Sequence, residues 1–262
     1  MVIIGAQKCG TTALHSYMAR HPWIAMSKPK ELDFFVEGRN WERGVDWYRE
    51  HFDPVVPVRG ESSPNYTADP YLPGVPERMA DVVPDAKLIF MVRDPVERVR
   101  ANWIHTYSNR VEDRPLREAV LDPDAEYLAR SRYHHQLSRF LEHYPMEQIL
   151  VLEQEELLEE RRETLVRVWR FLEVRDTVWR EAFNIKRLES GERRRKTRLG
   201  RYVSERASHS TWRRLRGHRP FSTPFVQSEM DDELRAEVAN RLRDDAQRFR
   251  ALLGRPFESW SV

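Results

Sequence analysis

The sequence of 262 residues has little of what disulfide-linked, membrane-spanning or strongly basic proteins require. It contains one cysteine, Cys9, so no disulfide can form within the chain, and we expect a reducing, cytoplasmic environment. No apolar run approaches the roughly 20 residues that a membrane-spanning helix needs, and Met1 leads into a predicted strand rather than a signal peptide. The formal net charge is only +2, so global charge gives no reason to expect a nucleic-acid partner.

The sequence does contain many charges of both signs and enough apolar residues for a large core. Charged residues make up 33% of the chain, above the globular average of about 25%, and hydrophobic residues make up 40%. This length and composition suit one domain over residues 1–262. Within it, residues 184–228 are irregular and include two dense basic runs, 193–198 and 213–219. We predict that this segment is a mobile basic flank or lid and that the runs are solvated.

Short apolar runs alternate with amphipathic segments along the chain. Strands are predicted at Met1–Ile4, Arg59–Ser63, Ala86–Val92 and Gln148–Leu152. Helices are predicted at Thr11–Arg20, Trp41–His51, from Pro95 onwards, Glu126–Tyr144, Glu155–Leu172 and Asp231–Leu253. This alternation predicts a three-layer, P-loop-like α/β fold with a central parallel sheet flanked by helices.

The N-terminal segment VIIGAQKCGTT has the spacing of a phosphate-binding loop between a strand and a helix. Gly5 and Gly10 let the backbone direct several N–H groups to one point, and the helix start at Thr11 favours an anion. A nucleotide-binding P-loop places lysine directly after its second glycine, whereas here Lys8 lies inside the loop. A lysine in that position can neutralise a phosphate that departs with added negative charge. A plain glycine turn is the alternative interpretation.

Six separated motifs follow one another in the order of a known enzyme family. They are GAQKCGTTAL (5–14), KELDFF (30–35), GVDWYREHF (44–52), ESSPNY (61–66), LIFMVRDPVERVRANW (88–103) and LLGRPFESW (252–260). Together they resemble the sulfotransferases that use 3′-phosphoadenosine 5′-phosphosulfate (PAPS), most closely the heparan-sulfate and bacterial branch. The resemblance implies transfer of a sulfuryl group from PAPS to a hydroxyl or amine of a carbohydrate or small-molecule natural product. It implies no metal.

The resemblance also implies a role for each matching residue. The 5′-phosphosulfate would be held by the loop residues Lys8, Cys9, Gly10, Thr11 and Thr12. Arg93, which follows a strand and precedes a helix that begins with proline, would bind the 3′-phosphate. Lys8 would also stabilise the departing 3′,5′-diphosphoadenosine.

Glu31 would be the general base, because a hydroxyl is a poor nucleophile until a base removes its proton. It lies between two lysines, Lys28 and Lys30, and an aromatic pair, so its neighbours could move its pKa in either direction. Three other residues remain alternative bases: Asp33, Glu61 and His105.

The sequence departs from the family pattern around the nucleotide. Ala101 stands eight residues after Arg93, where the family has a serine that contacts the 3′-phosphate. The candidate replacements for this contact are Arg98, Arg100 and Asn102. The late Lys-Gly-Arg loop of the family has no clear match, and Arg219 is its candidate stand-in; a solvated basic surface is the alternative.

The acceptor side also differs from heparan 3-O-sulfotransferases. Those enzymes carry basic residues where this chain has Gln7, Thr12 and Ser62, which argues for an acceptor that is smaller or less charged than heparan. We predict that the acceptor is bound by Gln7, Asp33 and Ser62.

Two other classes of function remain open from the sequence. A P-loop small-molecule kinase would need a lysine after Gly10, and a noncatalytic nucleic-acid-binding protein would use the basic runs. The pair His134-His135 lacks further residues at ligand spacing, so we predict no metal site.

Overall fold

The computed structural model describes residues 1–184, 194–225 and 229–262. Its centre is a five-stranded sheet in which every neighbouring pair is parallel. The strands are β1 (Val2–Gly5), β2 (Ile24–Met26), β3 (Val58–Ser62), β4 (Leu88–Val92) and β5 (Ile149–Glu153). Their spatial order is β2-β3-β1-β4-β5, so β1 lies between β3 and β4.

Helices connect and flank these strands. They are α1 (Thr11–Met18), α2 (Gly44–Arg49), α3 (Val75–Val82), α4 (Pro95–Ser108), α5 (Leu116–Leu121), α6 (Glu126–Ala129), α7 (Tyr133–Leu141), α8 (Gln154–Glu159), α9 (Arg161–Phe171), α10 (Arg198–Arg206), α11 (His209–Leu215) and α12 (Asp232–Leu253). Single turns of 3₁₀ helix occur at Trp41–Arg43, Pro64–Tyr66, Met146–Gln148 and Glu181–Asn184. The predicted α/β class with a central parallel sheet is confirmed.

The apolar strands of the sheet form the main core. Every residue of β1 and of β4 is buried, as expected for parallel strands that are covered on both faces. A second apolar cluster joins α4, α5 and α6 to the first half of α12, around Trp103, Val238 and Leu242. Helix α12 therefore ties the two clusters together, because its later residue Phe249 packs in the main core.

Two long helices predicted from periodicity are each broken in the structure. Glu126–Tyr144 is divided into α6 and α7 at Arg132, whose backbone is not helical, and Asp245 of α12 accepts from the amides of His134 and His135 at the start of α7. Glu155–Leu172 is divided into α8 and α9 at Glu160, whose backbone is not helical. The short strand β2 was not predicted. The start of α7 is thus held by a residue more than 100 positions away in sequence.

The described part of the predicted basic flank, residues 194–225, forms a hairpin with two short helices; residues 185–193 and 226–228 lie outside the described residues. Strands β6 (Arg194–Lys196) and β7 (Ser222–Pro224) are antiparallel and enclose α10 and α11. Arg195 fastens the hairpin to α4, because its guanidinium lies 3.7 Å from the ring centre of Tyr107 and donates to the Tyr107 hydroxyl at 3.0 Å. Among the helices of the described residues, none has both the length and the apolar character needed to cross a bilayer.

Candidate active site

The residues singled out by the motifs converge at one edge of the sheet. The loop after β1, Arg93 after β4 and the turn after β3 all follow the carboxyl ends of three adjacent parallel strands. Ligands of open α/β sheets bind at this edge. The fold therefore brings together segments that are up to about 85 residues apart in sequence.

The phosphate loop has the shape that its glycines predict. Gly10 is in the left-handed region, with φ of 86°, and it is the residue that precedes α1. A Cβ on Gly5 would lie 1.9 Å from the hydroxyl of Thr67, so the close approach of these segments needs a residue without a side chain. The first turn of α1 carries Thr11, which is buried, and Thr12, which is exposed.

Cys9 turns its side chain into the core. Its thiol is fully buried and lies 3.4 Å from the Tyr133 hydroxyl, and burial raises the thiol pKa. Its amide donates to the carbonyl of Ala6 at 3.2 Å. The thiol and the amide of Cys9 thus both have partners inside the protein in this conformation. The assignment of Cys9 as a contact to the 5′-phosphosulfate stays a prediction.

Arg93 and Lys8 lie against each other where β1 and β4 end. An Nη atom of Arg93 is 3.5 Å from the carbonyl oxygen of Lys8, so the arginine reaches across to the loop. The Nε of Arg93 is buried and has no hydrogen-bond partner among the described residues. A buried donor without a partner is costly, and a phosphate oxygen would satisfy it. The buried Nε of Arg93 is therefore suited to bind a phosphate oxygen of an anionic nucleotide.

The candidate replacements for the serine contact at Ala101 are not equivalent. Arg98 is fully buried and donates to the carbonyls of Gln7 and Tyr127, which leaves it supporting the loop from behind. Burial lowers the pKa of Arg98 to about 10, so it remains charged at neutral pH. Asn102 is also fully buried. Arg100 is partly exposed on the same helix, so of the three it alone presents a side chain to solvent.

Glu31 presents its carboxylate at the surface of the site. Its side chain is 49% exposed and forms an ion pair with Lys30 at 2.7 Å. His15, on α1 one turn after Thr11, interacts with both charges. Burial and the nearby Lys30 lower the pKa of His15 to about 4, so the imidazole is neutral at pH 7. His15 was not predicted as a site residue, although its helical spacing from Thr11 places both on one face.

Glu61 is excluded as a directly acting base by its surroundings. It is fully buried, and it accepts hydrogen bonds from the hydroxyls of Tyr48, Tyr66 and Ser63 at 2.9, 2.9 and 2.7 Å. Burial raises its pKa to about 7, although these three hydrogen bonds act in the opposite direction. A carboxyl group so enclosed cannot reach an acceptor in this conformation. His105, a further alternative, lies in the last turn of α4, near Asn109.

Of the three predicted acceptor residues, two are partly exposed and one is buried. Asp33 is partly exposed and has φ of 45°, and its carboxylate is held by Arg39 and by the amide of Asn65. Gln7 is partly buried, with a buried side-chain oxygen that has no partner among the described residues. Ser62 is different, because it is fully buried and so cannot touch an acceptor in this conformation.

Arg219 lies in an exposed turn after α11. Its assignment as a nucleotide contact stays a prediction.

Comparison with known proteins agrees with this site. Residues 1–242 match the family model described as the sulfotransferase domain. The chain is 30% identical over 176 residues to the bifunctional heparan sulfate N-deacetylase/N-sulfotransferase 1 of Caenorhabditis elegans, and 30% identical over 202 residues to the mouse protein of that name. These matches cover 60% and 68% of this chain but only 20% and 22% of those relatives, so the chain spans about a fifth of their length.

A solved structure extends the similarity to the whole chain. The crystal structure of a sulfotransferase from Alicyclobacillus acidocaldarius has a TM-score of 0.72 and 26% identity, covering 100% of this chain and 98% of that one. The sulfotransferase domain from the curacin biosynthetic pathway, at 14% identity and a TM-score of 0.52, shares the fold. The family match, the sheet and the phosphate loop agree, and we conclude that this chain belongs to the sulfotransferase domain family, enzymes that transfer sulfuryl groups from PAPS.

Proposed function

We propose that the chain transfers a sulfuryl group from PAPS to a hydroxyl or amine of a carbohydrate or small-molecule natural product. The observation that carries the proposal is the convergence of the phosphate loop and Arg93 at adjacent strand ends, with a buried arginine donor left for an anion. When bound, PAPS supplies an activated sulfuryl group and a diphosphate leaving group. Lys8 and the first turn of α1 would hold its 5′ end, and Arg93 its 3′-phosphate.

The acceptor would be activated by Glu31. Its carboxylate pairs with Lys30 and is exposed, so it can accept the proton of a hydroxyl or amine that approaches from solvent. Lys8 offsets the negative charge that develops on the departing phosphate. Much of the acceleration comes from holding the two reactants in line, which the rigid strand ends provide.

The surroundings of Glu31 favour an acceptor with little negative charge. The neighbouring loop carries Asp33, and the positions next to the phosphate loop are the uncharged Gln7 and Thr12. A polyanionic glycan would meet the Asp33 carboxylate here, and the uncharged Gln7 and Thr12 would add no cation to balance it. Relatives in this family include heparan sulfate N-sulfotransferases, so an amino sugar is one acceptor class to test.

Two measurements test the proposal. Isothermal titration should detect 3′,5′-diphosphoadenosine binding without Mg²⁺ and little response to ATP–Mg²⁺; the opposite pattern would instead support a kinase. Transfer of label from ³⁵S-PAPS should then be screened over uncharged sugars, amino sugars, natural-product alcohols and heparan. Absence of labelled product from every acceptor, together with absence of diphosphate binding, would refute the proposal.

A further inference from the structure

The turn that follows β3 holds the segment that follows Glu31. Residues 63–66 contact residues 33–35 at three points, although the two segments are about 30 residues apart in sequence. The Ser63 hydroxyl accepts from the amide of Asp33 at 3.0 Å, and the Tyr66 hydroxyl accepts from the amide of Phe35 at 3.5 Å. The amide of Asn65 donates to the Asp33 carboxylate at 3.0 Å.

Both hydroxyl groups also donate to one buried carboxylate. Ser63 donates to one oxygen of Glu61 at 2.7 Å, and Tyr66 donates to the other at 2.9 Å. Each hydroxyl therefore links an oxygen of Glu61 to a backbone amide of the segment after Glu31. A hydroxyl has a single hydrogen. In its ionised form the Glu61 carboxylate only accepts, so it then fixes both hydrogens towards itself and leaves the hydroxyl oxygens free to accept from the two amides.

The held segment needs this support. Asp33 has a positive φ of 45°, a left-handed conformation that is uncommon for residues with a side chain, although aspartate tolerates it better than most. Glu31 lies two residues before Asp33, and its carboxylate is exposed, so the direction of that carboxylate depends on how the following backbone is fixed. We propose that Glu61, acting through Ser63 and Tyr66, is the positioning residue that aims Glu31 at the acceptor.

This inference rests on the proposed role of Glu31 as base. It assigns to Glu61 no proton transfer and no contact with either substrate. The third hydroxyl on Glu61, that of Tyr48, donates to the same carboxylate at 2.9 Å but bonds to no amide of the held segment among the described residues. Tyr48 therefore provides a matched control: it has the same partner, the same kind of bond and a similarly buried ring.

The test compares Ser63→Ala and Tyr66→Phe with Tyr48→Phe. We expect Ser63→Ala to lower kcat for sulfuryl transfer about tenfold and Tyr66→Phe to lower it about threefold, because the bond of Tyr66 to the amide is longer. All three variants should bind 3′,5′-diphosphoadenosine within about twofold of wild type, and Tyr48→Phe should keep kcat within about twofold. Equal losses of kcat in all three would show that Glu61 only stabilises the core, and would overturn the inference.

A double variant separates this inference from the proposed function. If Ser63 acts through Glu31, adding Ser63→Ala to Glu31→Gln should lower kcat no further, whereas independent effects would multiply. A further tenfold loss in the double variant would refute the positioning role while leaving Glu31 as base. A Glu31→Gln variant with wild-type kcat would instead refute the proposed base. If Ser63→Ala does not fold, the same comparison uses Tyr66→Phe, which keeps its ring.

Discussion

The two halves of the site are built in different ways. Apart from Arg93, the donor half is a continuous stretch, Gly5–Thr12, whose shape follows from its glycines and from the helix that begins directly after Gly10. The acceptor half is a loop after Lys30 that has no regular structure of its own and a positive φ at Asp33. This loop is held by side chains of a turn distant in sequence. One of them, Ser63, accepts from the Asp33 amide and donates to the buried Glu61.

The two halves show that backbone amides and side-chain networks can each fix a functional group, but they draw on different parts of the sequence. A phosphate is bound by several backbone amides and by the N-terminus of a helix, and residues adjacent in sequence can supply all of these. A general base must point in one direction, so its backbone must be fixed by neighbours that the sequence places far away. Damage to the donor half should therefore alter nucleotide binding, and damage to the acceptor half should alter turnover alone.

The largest expected effects come from one substitution in each half. Lys8→Ala should weaken 3′,5′-diphosphoadenosine binding and lower kcat/KM by about 10²-fold or more, because a cation is lost beside the departing phosphate.

Glu31→Gln should lower kcat by about 10²-fold or more while nucleotide affinity stays unchanged. Titration calorimetry and labelled transfer measure the two quantities. A loss of nucleotide affinity in Glu31→Gln would break the division between the halves.

The buried carboxyl of the acceptor half should make stability depend on pH. Burial raises the pKa of Glu61 to about 7 in the folded protein, from an ordinary value of 4.5. Between these values the folded state binds more protons than the unfolded state, so its stability falls as pH rises, and the full penalty is present above about pH 7. Below the ordinary pKa both states are protonated and the penalty vanishes.

Denaturant unfolding of wild type and Glu61→Gln at about pH 5.5 and pH 8 measures this linkage. The free energy of unfolding of wild type, relative to the variant, should be greater at the lower pH by roughly 1–3 kcal/mol. Subtracting the unfolding free energy of the variant removes the contributions of all titrating groups that the substitution leaves unchanged. A difference that is independent of pH would show that Glu61 keeps an ordinary pKa despite its burial.

A smaller effect is expected from the glycine of the donor half. Gly10→Ala forces an alanine into a left-handed conformation at a cost of about 1–2 kcal/mol, and it should weaken 3′,5′-diphosphoadenosine binding. Gly254→Ala is the matched control, because Gly254 is also left-handed and lies at the end of α12. Both variants should lose similar thermal stability, but only Gly10→Ala should lose nucleotide affinity. Equal affinity losses would contradict a specific role for the loop backbone.

The smallest effect concerns the one cysteine. Because the Cys9 thiol is fully buried and its pKa is raised, the folded protein should react with a thiol reagent at least about tenfold more slowly than the denatured protein. A colorimetric thiol assay with and without denaturant measures this ratio. Rapid reaction in the folded state would mean that the phosphate loop opens, and the donor half would then be less rigid than its backbone geometry implies.

The sequence by itself determined the fold class, the phosphate loop and the family. The runs Val2–Gly5 and Leu88–Val92 are apolar enough to be buried on both faces, and strand–glycine–helix is a local pattern that needs no distant partner. The helix at Pro95 begins where expected, since Asp94 accepts from the amides of Val96 and Glu97. These features depend on neighbours in sequence, and sequence reasoning can therefore reach them.

Only the tertiary structure decided which carboxylate is exposed and which is enclosed. Glu31 and Glu61 are both glutamates in motifs, but only Glu61 is surrounded by Tyr48, Tyr66 and Ser63. Likewise Cys9 turns into the core to meet Tyr133, which no local pattern reveals. The physical reason is common to all these cases: burial and hydrogen bonding depend on which segments the sheet brings together, and that is a property of the folded chain.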